Sequence, residues 1–100
     1  MTVVSDSSPL ITLARIGCFD LLPRLYPRVH ISSEVYQEVV IDGTGLPGAI
    51  HVSGADWIEV RRVREGADLS KAIRLTGLGA GELSAVFLAR ELSADLVLLD

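Results

Sequence analysis

The sequence predicts an α/β domain, a layered sandwich of helices around a mainly parallel sheet. Three observations predict it. Strand-like and helix-like segments alternate along the chain, the pattern of parallel βα units. The last run, "LVLLD", is apolar up to its final acid, as strands buried on both faces are. Of the 100 residues, 49% are hydrophobic, which suits one small domain with a real core and excludes a disordered chain.

Each element has its own signal. Thr2 to Ser5 is a strand carrying the β-branched pair Val3 and Val4. A helix follows over Pro9 to Ile16, with Ser8 as N-cap, Pro9 as first helical residue and Gly17 as the stop. "CFDLLPRLY" is a second short helix, in which Pro23 sits in a first turn or marks a break. Val29 to Ile31 is the second strand, and Ser32 and Ser33 cap the helix "EVYQEVVI", which ends at Asp42 and Gly43. The Gly-rich segment "DGTGLPGAIHVSGAD" is the least regular part, with a short helix around Ala49 to Val52. "WIEVRRV" alternates as a strand does, and Trp57 at its start is a packing residue. "DLSKAIRL" is a weak helix. "ELSAVFLARELSA" is the strongest one, with Leu83, Val86 and Phe87 as an apolar stripe and Ser84, Arg90 and Glu91 as its polar face. The chain then ends at Asp100, directly after a strand that should be central, where a parallel α/β domain normally continues into a covering helix. The expectation is that the chain is truncated or that something else covers that edge.

Composition narrows the function. Cys18 is the only cysteine, which excludes an intrachain disulfide and reads as a buried, inert thiol. His30 and His51 are isolated, without metal spacing, and read as structural or surface residues. No apolar run reaches the ~18 residues that suggest a membrane span, and no basic, signal-like start is present. The expectation is a cytoplasmic protein with no membrane partner. The net charge of −4 argues against a general nucleic-acid binder. That argument weakens if some acids hold metal. Arg61, Arg62 and Arg64 form the one basic cluster, read as a solvated strand edge or as a phosphate-contacting patch. "TGLGAG" is not a P-loop, since it lacks the following Lys and Ser/Thr and no strand directly precedes it.

The acids carry the chemistry. "TVVSD" ends in Asp6 and "LVLLD" ends in Asp100. If these strands are parallel neighbours, both carboxylates face one crevice at the carboxyl edge of the sheet, where open α/β sheets bind ligands. Glu82 opens the strongest helix behind Gly79 and Gly81, near the same edge. Glu34 and Glu38 are four apart on the middle helix and share a face. Singly, each acid has a plain structural reading, as an Asx-turn, a helix-dipole partner, a cap or a solvated charge. Together in one cleft they would repel without a cation. Carboxylate oxygens suit Mg²⁺ or Mn²⁺, and such a site serves nuclease or phosphatase chemistry.

At these residues the chain resembles a known family. "VVSDSSPLITLARIG", "SSEVYQEVV" and "GAGELSAVFLARELSADLVLLD" are together similar to PIN-domain proteins, and most similar to the small VapC-like branch. The resemblance spans almost the whole chain, in the right order, with its middle motif looser than the other two. It implies a three-layer α/β/α sandwich with a mainly parallel sheet over residues 1–100, its C-terminal part missing. It implies a metal-dependent endoribonuclease, of a kind that often serves as the toxin of a type II toxin–antitoxin pair. By motif, Asp6, Glu38, Glu82 and Asp100 match the catalytic and metal-binding acids. Ser7 and Ser8 match a hydroxyl position beside the metal, and Glu34 is not the motif position. The implied partners are single-stranded RNA, an antitoxin protein and a second copy of the chain. The chain departs from the branch at its end, where two consecutive acids are common and only Asp100 is present.

Two other readings compete. One is a truncated PIN domain that binds a protein partner without turnover. The other is a metal-dependent phosphatase on a similar sheet, disfavoured because "DSS" at Asp6 lacks a DxD-type nucleophile motif.

Overall fold

A computed structural model describes residues 1–99, so the reading placed on Asp100 lies outside the described residues. The strands are β1 (Val3–Ser5), β2 (Val29–Ser32), β3 (Ile58–Arg61) and β4 (Leu96–Leu98). The helices are α1 (Ser7–Arg15), α2 (Leu21–Leu25), α3 (Ser33–Tyr36), α4 (Ala49–Ser53), α5 (Gly66–Thr76) and α6 (Ala80–Leu92). A π turn over Gln37–Ile41 continues α3.

The four strands form one parallel sheet in the order β3-β2-β1-β4. The chain steps from β1 to β2 to β3, then crosses back to place β4 on the other side of β1. The carboxyl end of β1 is therefore a point where strand order reverses, the place where such sheets leave a crevice. Val3, Val4 and Ser5 pair with Leu96, Val97 and Leu98, and Asp6 N–H extends the ladder by donating to Leu98 O at 2.9 Å.

The pleat sends alternate residues of β1 into two cores. Val3 packs with Leu10, Phe19, Leu22, Val29, Ile31 and Val35 on the face covered by α1–α4. Val4 packs with Val63, Leu69, Ala85 and Leu88 under α5 and α6. Helices thus cover both faces, and the three-layer α/β/α sandwich is observed. Trp57 stacks at a tilt on Phe19, centroids 5.2 Å apart, in the packing role expected of it. No helix among the described residues is long and apolar enough to cross a membrane.

The elements differ from the sequence reading in five places. Strand β4, read as a central strand buried on both faces, is an edge of the sheet among the described residues, and Leu96, Val97 and Leu98 are only half-buried, because β1 alone pairs with it there. Helix α1 starts at Ser7, with Asp6 rather than Ser8 as N-cap, because Asp6 Oδ1 accepts from Ser7 N at 2.7 Å. Pro9 therefore sits inside the first turn, where its missing N–H is tolerated. The middle helix does not stay α-helical: Asp42 N–H donates to Gln37 O at 2.8 Å, five residues back. Ser84 belongs to the buried face of α6 and Val86 is 46% exposed, because Gly81, Ser84, Ala85 and Leu88 are the residues turned inward. Their i, i+3, i+4, i+7 spacing is a proper helical stripe, but its small side chains give a weak hydrophobic signal. Cys18 is half-buried rather than buried, its thiol turned to Ile16 O at 3.7 Å.

Candidate functional site

Because all four strands are parallel, their carboxyl ends share one edge of the sheet. Asp6 stands there, buried, directly after β1. Its carboxylate caps α1, so the local turn that starts the helix also fixes the acid. Ser7, the first residue of α1, is 3% exposed, and its Oγ is buried with no hydrogen-bond partner among the described residues.

Helix α3 starts at the end of β2. Ser32 caps it by accepting from Val35 N at 3.0 Å, and the π turn follows. Single π turns inside helices occur often at functional sites. This one carries Glu38. A Cβ built on Gly81 would lie 2.5 Å from Glu38 Oε2 and 3.4 Å from Ser7 Oγ. The Glu38 carboxylate and the orphaned Ser7 hydroxyl thus face the same side of Gly81, and only glycine leaves that space open.

The two walls are tied together by a buried relay. Ser84 Oγ donates to Gly81 O at 2.7 Å, and Ser32 Oγ lies 2.6 Å from Ser84 Oγ. Each hydroxyl has one proton. Since that of Ser84 goes to Gly81 O, Ser32 donates to Ser84, while accepting from Val35 N. The cap of α3 is thereby bonded to the first turn of α6.

A cavity of about 390 Å³ opens between these walls, lined by Ser33, Glu34, Gln37, Glu38, Asp42 and Gly81 among others. Glu34 Oε1 is buried without a hydrogen-bond partner. Asp42, which the sequence marks only as a helix end, also lines the cavity and accepts from Gln37 Nε2 at 3.0 Å. Its spacing of four residues from Glu38 was a signal the sequence offered, obscured because Asp42 and Gly43 read as the stop of the helix. Ser33 Oγ donates to Arg61 O at 3.4 Å, which ties the carboxyl end of β3 to the start of α3. Arg61 itself pairs with Glu59 at 3.1 Å, and Arg62 and Arg64 are exposed beyond the edge strand.

Of the sequence-predicted acids, Asp6, Glu38 and Glu82 are described, and these three do not form one cluster of metal-type side chains. The Glu38 carboxylate and the Ser7 hydroxyl both lie close to Gly81, and Asp6 is next to Ser7 in the chain. Glu82 is exposed in the first turn of α6 and does not line the cavity. Asp100 lies outside the described residues. Among the described residues, no three His, Cys, Asp or Glu side chains converge as a ready metal site. The donors present nevertheless fit a hard cation. Mg²⁺ commonly binds through one or two carboxylates and keeps several waters. The crevice offers Asp6, Glu38 and a buried, partnerless hydroxyl, all oxygen donors.

The chain has no significant match among curated proteins or solved structures. One family, DUF3368, described as a PIN domain, matches residues 2–100, and over that span it includes Asp6, the α3 motif and the α6 motif. With the parallel sheet and the crevice at β1 in place, the chain belongs to the PIN-domain family.

Proposed function

We propose that this chain is a metal-dependent endoribonuclease that cleaves single-stranded RNA, and that it is the VapC-like toxin of a type II toxin–antitoxin pair. Nuclease activity in general follows from PIN-domain membership. The metal dependence rests on one observation: the Glu38 carboxylate and the partnerless Ser7 hydroxyl, next to Asp6, face one point beside Gly81 at the strand-order reversal. The RNA substrate and the toxin role rest on the resemblance of the motifs around Asp6, Glu38 and Glu82 to the VapC-like branch.

The proposed roles follow from position. Asp6 and Glu38 hold Mg²⁺ or Mn²⁺, with Glu82 and Asp100 as the further acids of the set. Such an ion, when bound, lowers the pKa of a coordinated water and offsets phosphate charge. Ser7 orients a water at the crevice. Asp6 is fixed by its bond to Ser7 N, so its geometry is set before substrate arrives. The exposed Arg62 and Arg64, just past the end of β3, supply phosphate contacts along an RNA track. An antitoxin and a second copy of the chain are the proposed protein partners.

A second reading is a PIN domain that binds a protein without turnover. The lack of three converging metal-type side chains among the described residues favours it. Cleavage of a labelled single-stranded RNA in Mn²⁺, in EDTA and with Asp6→Asn separates the two. Metal-dependent cleavage lost in the variant supports the nuclease. No cleavage by the wild-type chain, with Mn²⁺ still bound, supports the binding module.

A further inference from the structure

A second cavity, of about 370 Å³, lies on the other side of Glu38. Its walls are Ile11 of α1, Val39 of the π turn, and Leu46 and Pro47 of the following loop. Two charged groups, Arg15 and Glu38, complete the lining. Apolar walls with a few polar groups are the usual make-up of a small-ligand site.

The loop wall is held in place by the backbone. Leu46 N–H donates to Gly43 O at 2.8 Å, which fixes the turn, while 64% of Leu46 remains exposed. Gly48 has φ 101°, a left-handed conformation that suits glycine. A Cβ there would sit 3.5 Å from Val39 Cγ1 and 3.6 Å from Ile11, so the loop lies close against both of those residues. The cavity is thus built from three elements that meet at fixed contacts, not from a gap beside a loose loop.

Position identifies the occupant. Glu38 lines both cavities, so whatever binds at the acidic crevice has this apolar slot directly beside it. A nucleotide joins an anionic phosphate to a flat ring with apolar faces and polar edges. Arg15 carries donors only, which match the acceptor atoms on a base edge. We propose that this cavity is a nucleobase subsite, taking the base next to the scissile phosphate between Ile11, Val39 and Leu46, with Arg15 reading its acceptors. The proposal rests on the ribonuclease reading of the Glu38 crevice. It assigns sequence preference to α1 and the 43–48 loop rather than to the acids.

The test has a binding arm and a cleavage arm. The ¹⁵N-labelled chain is titrated with each of the four 5′-nucleoside monophosphates, and the amide signals of Ile11, Val39, Gly43 and Leu46 are followed. The same is done for Leu46→Ala and Arg15→Gln, and cleavage sites are mapped on a mixed-sequence RNA. The expected result is shifts at those amides, stronger for some bases than for others. Leu46→Ala should weaken binding by about tenfold, as loss of an apolar contact does. Arg15→Gln should level the differences between bases, and both variants should change the cleavage-site preference. Nucleotides that leave these amides unshifted overturn the proposal, as does equal binding by Leu46→Ala. So does a chain that is dimeric by sedimentation with this cavity covered by its second copy. Cleavage with unchanged site preference in Leu46→Ala removes the subsite and leaves the ribonuclease standing. Nucleotide binding at Leu46 without any RNA cleavage removes the ribonuclease and leaves the cavity as a nucleotide site.

Discussion

The Glu38 carboxylate occupies space that any side chain on Gly81 would need, since a Cβ there would lie 2.5 Å from Glu38 Oε2. The clash is with the far end of a flexible, exposed side chain, not with backbone. Gly81→Ala should therefore fold normally and displace only the carboxylate. The expected outcome is a loss of about tenfold or more in Mn²⁺ affinity, in the range seen when groups supporting a metal ligand are changed. The melting temperature should stay close to wild type. Calorimetric titration and a thermal melt on one preparation check both halves.

Ser84→Ala acts on the frame instead of the acids. It removes the hydroxyl that takes the Ser32 proton and bonds Gly81 O, and it leaves a buried donor unpaired. A loss of about 1–3 kcal/mol is expected. Urea denaturation measures it, and Ser84→Thr, which keeps the hydroxyl, should lose less if the extra methyl is accommodated.

Divalent cation should stabilise the fold. A ligand that binds only the native state adds about 2.7 kcal/mol at one hundred times its Kd. The melting temperature should rise with Mn²⁺ in the wild type and rise much less in Glu38→Gln. Differential scanning calorimetry across a Mn²⁺ series reads this directly. An equal rise in both proteins would place the cation elsewhere.

His30 sets an acid-side weakness. Burial pushes its pKa below the ordinary 6.5, with the Arg61 and Arg28 charges acting the same way and Glu59 opposing. Its Nδ1 is 3.8 Å from Glu59 Oε2, too far for a hydrogen bond, and is otherwise partnerless. The folded state thus favours the neutral ring. This contribution is fully present above pH 6.5 and is lost as pH falls below 6.5 and through the folded value. Denaturation midpoints between pH 7.5 and pH 5 should decline, and His30→Gln should flatten that slope whatever its effect on absolute stability.

Much of the fold was legible because β-branched runs, Gly and Ser punctuation and one continuous apolar strand each act locally. Val3, Val4 and Gly17 behave as their chemistry dictates; Gly17 has φ 74° just past α1. The parallel sheet followed from element order. The site was legible only in outline. Asp6 and Glu38 could be named, but the π turn at Gln37–Ile41 could not, because nothing in "QEVVI" distinguishes it from ordinary helix. Glu34 was named with Glu38 on one helix face, whereas Asp42 was read only as the end of that helix and so was missed as a cavity-lining residue. Ser84 was assigned to the wrong face because small residues leave little hydrophobic pattern, although they suit close packing of a helix on a sheet. Tertiary approach, not local sequence, decided the placing of Asp42 and Ser84.

The most direct test of the central claim is where Mn²⁺ binds. Mn²⁺ is paramagnetic and broadens nearby amide signals at sub-stoichiometric concentration. Titrated into the ¹⁵N-labelled chain, it should first erase the signals of Asp6, Ser7, Glu38 and Gly81, and Glu38→Gln should require more metal for the same loss. Broadening that begins elsewhere, such as at Glu59 or Asp95, or that is unchanged in Glu38→Gln, would contradict a cation site at the β1 crevice.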